Sequence, residues 1–288
     1  MKPTVVLTFV AVALLTAIFV AERRREQAPV SAAPLVNFVA GAERDASRVP
    51  MAMTRIPDED EIRIGEAMAR RRPTDPESPV AAYLNRVGAG LASRAHRHLP
   101  FKFHYVPQPN FLNAYALPGG QIFVGEGLLR LMHTEDELAA VVGHEIEHVD
   151  HYHCAERIQT EAVLRGLPLM ELVALPVEVF EAGYGKDQEL EADREGIRLS
   201  AAAGYAPDAV IRLLESMEEA RHQRSAATTS GRPGTPSEEL GRLAADAIEG
   251  YFRSHPPTAE RVAQIRRVIA EDHLNLNVPT RPLNFPQR

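Results

Sequence analysis

The spacing of apolar positions divides the chain into unlike stretches. From Pro3 to Ala21 no charged residue occurs, and Val5, Val6, Leu7, Phe9 and Val10 are followed by Leu14, Leu15, Ile18, Phe19 and Val20. A run of about 20 such residues is long enough to span a bilayer and longer than the apolar part of a cleavable leader. Residues 1–26 are therefore expected to form an N-terminal transmembrane signal anchor. The alternative is a cut after Ala21, which would make the segment a signal peptide and release a secreted form; against it stands Phe19, at a position where cleavage sites want a small residue. Residues 27–55 are rich in Ala, Pro, Ser and Val without period, the composition of a flexible tether.

From Ile56 the period becomes helical. Residues 58–72 carry acids in the first turn and Arg at the end, complementing a helix dipole, and 79–98 continues a helical pattern after Pro79. The pattern then changes. Residues 101–107 alternate, while 111–117 and 121–125 flank Pro118-Gly119-Gly120, which predicts a small antiparallel sheet with a tight turn. Thr134-Glu135-Asp136-Glu137 is a capping box that starts a helix at Glu135 and carries it through Leu138, Val142, Ile146 and Val149. Further helices are expected at about 186–203, 207–222, 238–252 and 258–272, with a polar loop at 223–237. The fold class is α+β and mainly α-helical: a domain over 56–272, followed by a C-terminal tail at 273–288.

Composition narrows the function by exclusion. A formal net charge of −7 and the lack of a long basic run argue against a nucleic-acid partner. One cysteine, Cys154, permits no intrachain disulfide, and it is expected to be a small buried residue.

The chemistry lies on the capped helix. His144 and His148 are i and i+4, on one helical face, so both imidazoles can reach one ion. Glu145, next round, flanks that ion closely enough to take a proton from water beside it, and H-E-x-x-H is the zincin signature for that reason. A hydrolytic zinc site needs three protein ligands and an open position. In Gln188-Glu189-Leu190-Glu191-Ala192-Asp193, Glu189 and Asp193 share a face. Glu189 is assigned as third ligand and Asp193 as the carboxylate that accepts the remaining N–H of a ligating His; Glu191, Glu195, His151 and His153 are the rivals. The metzincin pattern fails, because it needs Gly where His151 stands and His where Cys154 stands. His96, His98, His104, His133, His222 and His273 are read as ordinary residues.

Taken together, Asn113-Ala114-Tyr115-Ala116-Leu117-Pro118-Gly119-Gly120, Gly127-Leu128-Leu129, Glu137 to His148, and Glu189 to Gly196 resemble the zinc metallopeptidases of the HtpX, BepA and CAAX-type-I protease group over about residues 56–272. The resemblance implies a gluzincin-type fold with the sheet beside the active-site helix, one Zn²⁺ per chain, and protein or peptide substrates. It further implies that His255-Pro256-Pro257-Thr258 with Arg261 matches a late motif whose His can cap the zinc. His255, Tyr184 and Arg261 are candidates for oxyanion help or gating, and Asn113 and Ala114 for a substrate-binding strand. With one apolar span, and an end at 288 that leaves no room for a tetratricopeptide array, the chain is expected to be a compact, single-anchor, extracytoplasmic member.

The expected function is zinc-dependent endopeptidase in extracytoplasmic quality control, bacterial-periplasm style. The alternative is a latent or non-proteolytic zinc-dependent binding protein. Charge leaves the membrane orientation open: Arg23–Arg25 would hold the following chain in the cytoplasm, while Lys2 and the amino terminus pull the other way.

Overall fold

The computed structural model describes residues 55–166, 168–181, 183–228, 255 and 259–284. The expected anchor and tether, and the helix expected at 238–252, lie outside the described residues. Among the described residues, no helix is long and apolar enough to cross a membrane.

Two helices come first. α1 (Asp58–Ala69) opens with Asp58, Glu59, Asp60 and Glu61 in its first turn. α2 (Pro79–Ala92) starts where the Ser78 side chain accepts from the Val80 N–H and Pro79 needs no donor partner. It stops six residues short of the expected end, because the carboxylate of Asp150 accepts the backbone N–H groups of His96 and Arg97 and turns the chain there. No local pattern signals that long-range capture.

The sheet contains β1 (Lys102–Val106), β2 (Ala114–Leu117) and β3 (Gln121–Gly125), in the order β1-β3-β2. The expected turn is present at Pro118–Gly120, where Gly119 takes φ +67°, a conformation open to glycine. The pairing departs from expectation. β2 is antiparallel to β3, but β1 pairs parallel to β3, with Lys102 opposite Gln121 and Val106 opposite Gly125. β3 thus has a partner on each side, and β2 keeps an outer edge.

A single helical turn, α3 (Glu126–Leu129), leads to α4 (Glu135–Asp150). The capping box is complete: Thr134 accepts from the Glu137 N–H and the Glu137 side chain accepts from the Thr134 N–H. α4 is buried along its whole length, packed by α7 (Lys186–Ala202), α2, β2 and α8 (Ala209–Thr228). α8 starts just past Pro207 and runs six residues into the expected 223–237 loop. α5 (His153–Arg165), a 3₁₀ segment at Leu169–Ala174 and the single turn α6 (Glu178–Glu181) occupy a stretch for which periodicity predicted nothing. α9 (Ala259–Glu271) closes the order and packs on α7. The chain after it returns to the start of α4, where the Arg281 carbonyl accepts from the Glu135 N–H and the Arg281 N–H donates to Asp136.

Candidate metal centre

A helix buried all round must find partners for its polar side chains, and the partners of His144, Glu145 and His148 come from α5, α7, β2, Tyr184 and His255. The decisive contact is between α4 and α7. A Cβ on Gly196 would stand 2.9 Å from the His144 backbone nitrogen, so only glycine lets the two backbones come this close. Ser200 fastens them by donating to the Ala139 carbonyl. Glu189 and Asp193, two turns and one turn before Gly196 respectively, are thereby set against the two histidines.

His144 and His148 face one another through their Nε2 atoms, 3.1 Å apart. Glu189 reaches both, with Oε2 3.5 Å from His144 Nε2 and Oε1 3.5 Å from His148 Nε2. His255 joins them, its Nδ1 3.1 Å from Glu189 Oε2 and its Nε2 3.6 Å from Glu145 Oε1. The four groups His144, His148, Glu189 and His255 each offer a ligand atom within 4.8 Å of one another, all buried. Zinc–ligand distances near 2.1 Å in a tetrahedron put neighbouring ligand atoms about 3.4 Å apart, close to these separations. Oε1 of Glu189 and Oε2 of Glu145 are buried with no hydrogen-bond partner among the described residues. A pair of opposed imidazole nitrogens beside an unsatisfied carboxylate oxygen is the donor set a divalent zinc ion takes.

The surrounding charges are ordered. Asp193 lies 3.1 Å from His144 Nδ1 through Oδ1, and Arg261 grips it with two bonds of 2.6 and 2.7 Å. Burial works against ionising Asp193, but the Arg261 charge and hydrogen bonds outweigh it and hold the carboxyl at about 2. Glu189 is likewise held well below the usual carboxylate range: burial opposes this, and the His255 charge with bonds from the other histidines prevails. Glu145 differs. Burial pushes its carboxyl up, against the neighbouring histidines and a backbone hydrogen bond from Ala116. A carboxylate raised in this way is a better proton acceptor than an exposed one. Burial pushes His148 down, which favours the neutral ring that a metal needs.

The matching family is peptidase family M48, which covers residues 79–269 of the 288. The chain belongs to peptidase family M48. Members of M48 are zinc metallopeptidases, and the buried donor set suits that metal. The mitochondrial metalloendopeptidase OMA1 of Schizosaccharomyces pombe is 31% identical over 204 residues, which is 67% of this chain and 54% of that protein. The OMA1 of Arabidopsis thaliana is 32% identical over 158 residues, 52% of this chain and 28% of its own length. The beta-barrel assembly-enhancing protease of Escherichia coli (strain K12) is 29% identical over 162 residues, 49% of this chain and 33% of that protein. The chain thus spans about half or less of the length of these relatives.

The structure brings Glu145, Glu189, Asp193 and His255 to the histidine pair. Arg261 spends its guanidinium on Asp193, with Glu189 3.4 Å away. Tyr184 stacks on the His148 ring at 4.0 Å, and its hydroxyl lies 3.1 Å from Cys154 Sγ. The Asn113 carbonyl is used inside the sheet, accepting from the Gly125 N–H, whereas the Ala114 carbonyl lies 3.4 Å from His255 Nε2. Ala114 and Ala116 therefore turn backbone groups toward the centre. Of the rivals for third ligand, Glu191 and His153 pair with each other at 3.2 Å, and His153 also touches the far nitrogen of His148. That contact had no sequence signal, because a residue five beyond His148 faces away on a continuous helix.

Proposed function

We propose that the chain is a zinc-dependent endopeptidase that hydrolyses peptide bonds within proteins, with His144, His148 and Glu189 as metal ligands and Glu145 as general base. The convergence of these four side chains on one buried point carries the reading. Bound there, zinc supplies polarisation of the scissile carbonyl and acidification of water. Glu145 takes the proton of the attacking water on its carboxylate and returns it to the leaving amine. Asp193, locked by Arg261, holds the His144 ring by its Nδ1 side. An extended substrate can add beside the outer edge of β2, with main-chain bonds that give affinity with little side-chain selection. Such a binding mode suits substrates that are unfolded or misassembled.

The same proposal includes location. Residues 1–26 anchor the chain in a membrane, 27–55 tether it, and the domain over 56–272 works outside the cytoplasm in protein quality control. The apolar run from Pro3 to Ala21 supports the anchor, and the name of the beta-barrel assembly-enhancing relative is in keeping with such a role.

The position of His255 favours a second reading, in which the enzyme rests in a latent form. With zinc bound, His255, whose ligand atom lies within 4.8 Å of those of His144, His148 and Glu189, would fill the position that a catalytic zinc keeps open. Both readings meet one experiment on the full chain, degradation of unfolded casein. Glu145→Gln is expected to lower turnover by about 10²-fold or more while keeping its zinc. His255→Ala raises turnover if the resting form is latent and lowers it if His255 assists the reaction. Equal cleavage by the parent and Glu145→Gln would remove Glu145 from the mechanism.

A further inference from the structure

We infer that His153, braced by Glu191, is a positioning residue that fixes the proton and the ring of His148 for zinc. The inference rests on the metal site proposed above. Nε2 of His148 points at His144 and Glu189, while Nδ1 lies 2.9 Å from Nδ1 of His153. A ring that gives the Nε2 lone pair to an ion carries its proton on Nδ1. His148 Nδ1–H then donates, and the Nδ1 of His153 accepts. Acceptance there places the His153 proton on Nε2, which stands 3.2 Å from Oε2 of Glu191 and donates to it. Glu191 in turn has His151 Nδ1 at 3.7 Å and Arg194 at 3.6 Å from its Oε1. The protons of the series His148, His153 and Glu191 thus all run outward from the metal side.

The two histidine ligands are therefore supported differently. His144 meets a carboxylate directly, in Asp193, whereas His148 meets one through a second imidazole. The chain builds this by a sharp turn. α4 ends at Asp150, Tyr152 adopts φ +63°, and α5 starts at His153. Tyr152 is held in this left-handed conformation between the guanidinium groups of Arg55 and Arg97, at 3.4 and 4.0 Å from its ring. The turn folds His153 back under His148, where it is 1% exposed. Cys154, next on α5, touches the hydroxyl of the Tyr184 that stacks on His148. The start of α5 thus supports the His148 ring at its Nδ1 edge directly and at its face through Tyr184.

The test is zinc affinity of the full chain by chelator competition, for the parent, His153→Leu and His153→Asn, with the melting temperature of each zinc-free protein. Leu fills the space without an acceptor, and Asn places Oδ1 where Nδ1 stood. His153→Leu is expected to raise the zinc Kd about 10–100-fold, and His153→Asn to restore most of the loss. Unchanged affinity in His153→Leu, or equal losses in both variants at similar melting temperatures, would overturn the inference. If zinc-free His153→Leu does not fold, Glu191→Leu decides: a weaker zinc Kd upholds the series and an unchanged one ends it. A parent without measurable zinc affinity would overturn the site itself and this inference with it.

Discussion

At the scale of single residues, burial sets the chemistry, and each buried charge is matched by a partner of opposite sign or by a role. Asp193 and Arg261 form a two-bond pair with both side chains almost wholly buried, so removing either would strand the other in the interior. Glu145 has no arginine beside it, only His255 Nε2 at 3.6 Å and a backbone bond from Ala116, and its raised carboxyl fits a group that moves a proton. Glu135 provides a structural comparison at the other end of the same helix. It accepts from Arg86 at 2.7 Å and from the hydroxyls of Tyr83 and Tyr205 at 2.5 and 3.1 Å. Burial opposes its ionisation, but these donors outweigh it and keep the carboxyl below its ordinary value. In the same pairing Tyr83 is pushed up to about 12, by burial first and then by Glu135. A depressed carboxyl contributes stability that is present above its unfolded pKa and lost as pH falls through the lower folded one. The urea midpoint of the parent should therefore fall between pH 5 and 3 by more than that of Glu135→Gln, over the same range of about two pH units. Parallel acid curves would remove Glu135 from the acid response.

At the scale of elements, the site depends on how closely α4 and α7 approach. Gly196→Ala puts a Cβ 2.9 Å from the His144 nitrogen, so the helices must part and carry Glu189 away from the histidines. A loss of about 1–3 kcal/mol in stability is expected, together with weaker zinc binding. Normal zinc affinity in a destabilised variant would mean that Glu189 does not depend on that contact. The same element pair marks what the sequence could reveal. The capping box, the i and i+4 histidines and the Glu189 to Asp193 spacing are local patterns, and each lies where local physics puts it. The parallel pairing of β1 was not legible, because alternation within 101–107 is the same for either strand direction. Nor was α5, whose apolar residues Val163 and Leu164 are exposed and leave no clean stripe to read. The turn at Tyr152 carries neither Gly nor Pro, and two distant arginines hold it.

At the scale of the whole described domain, the metal centre is where elements remote in sequence meet. α4 supplies two histidines and Glu145, the proposed base, α7 two carboxylates, β2 the facing backbone edge, and the region after residue 228 supplies His255 and Arg261. The first two groups could be assigned from spacing. His255 and Arg261 were reached only through the late His-Pro motif, since a histidine in a proline turn has no physical mark of a ligand. His153 was reached by neither route, because only the folded chain sets it against His148. In the proposed centre, His144, His148 and Glu189 together hold one zinc. The most direct measurement is the zinc content of the purified full chain beside Glu145→Gln, His148→Ala and Glu189→Ala. About one zinc per chain is expected in the parent and in Glu145→Gln, with most of it lost in the other two. Full zinc in His148→Ala and Glu189→Ala, or none in the parent, would contradict the account.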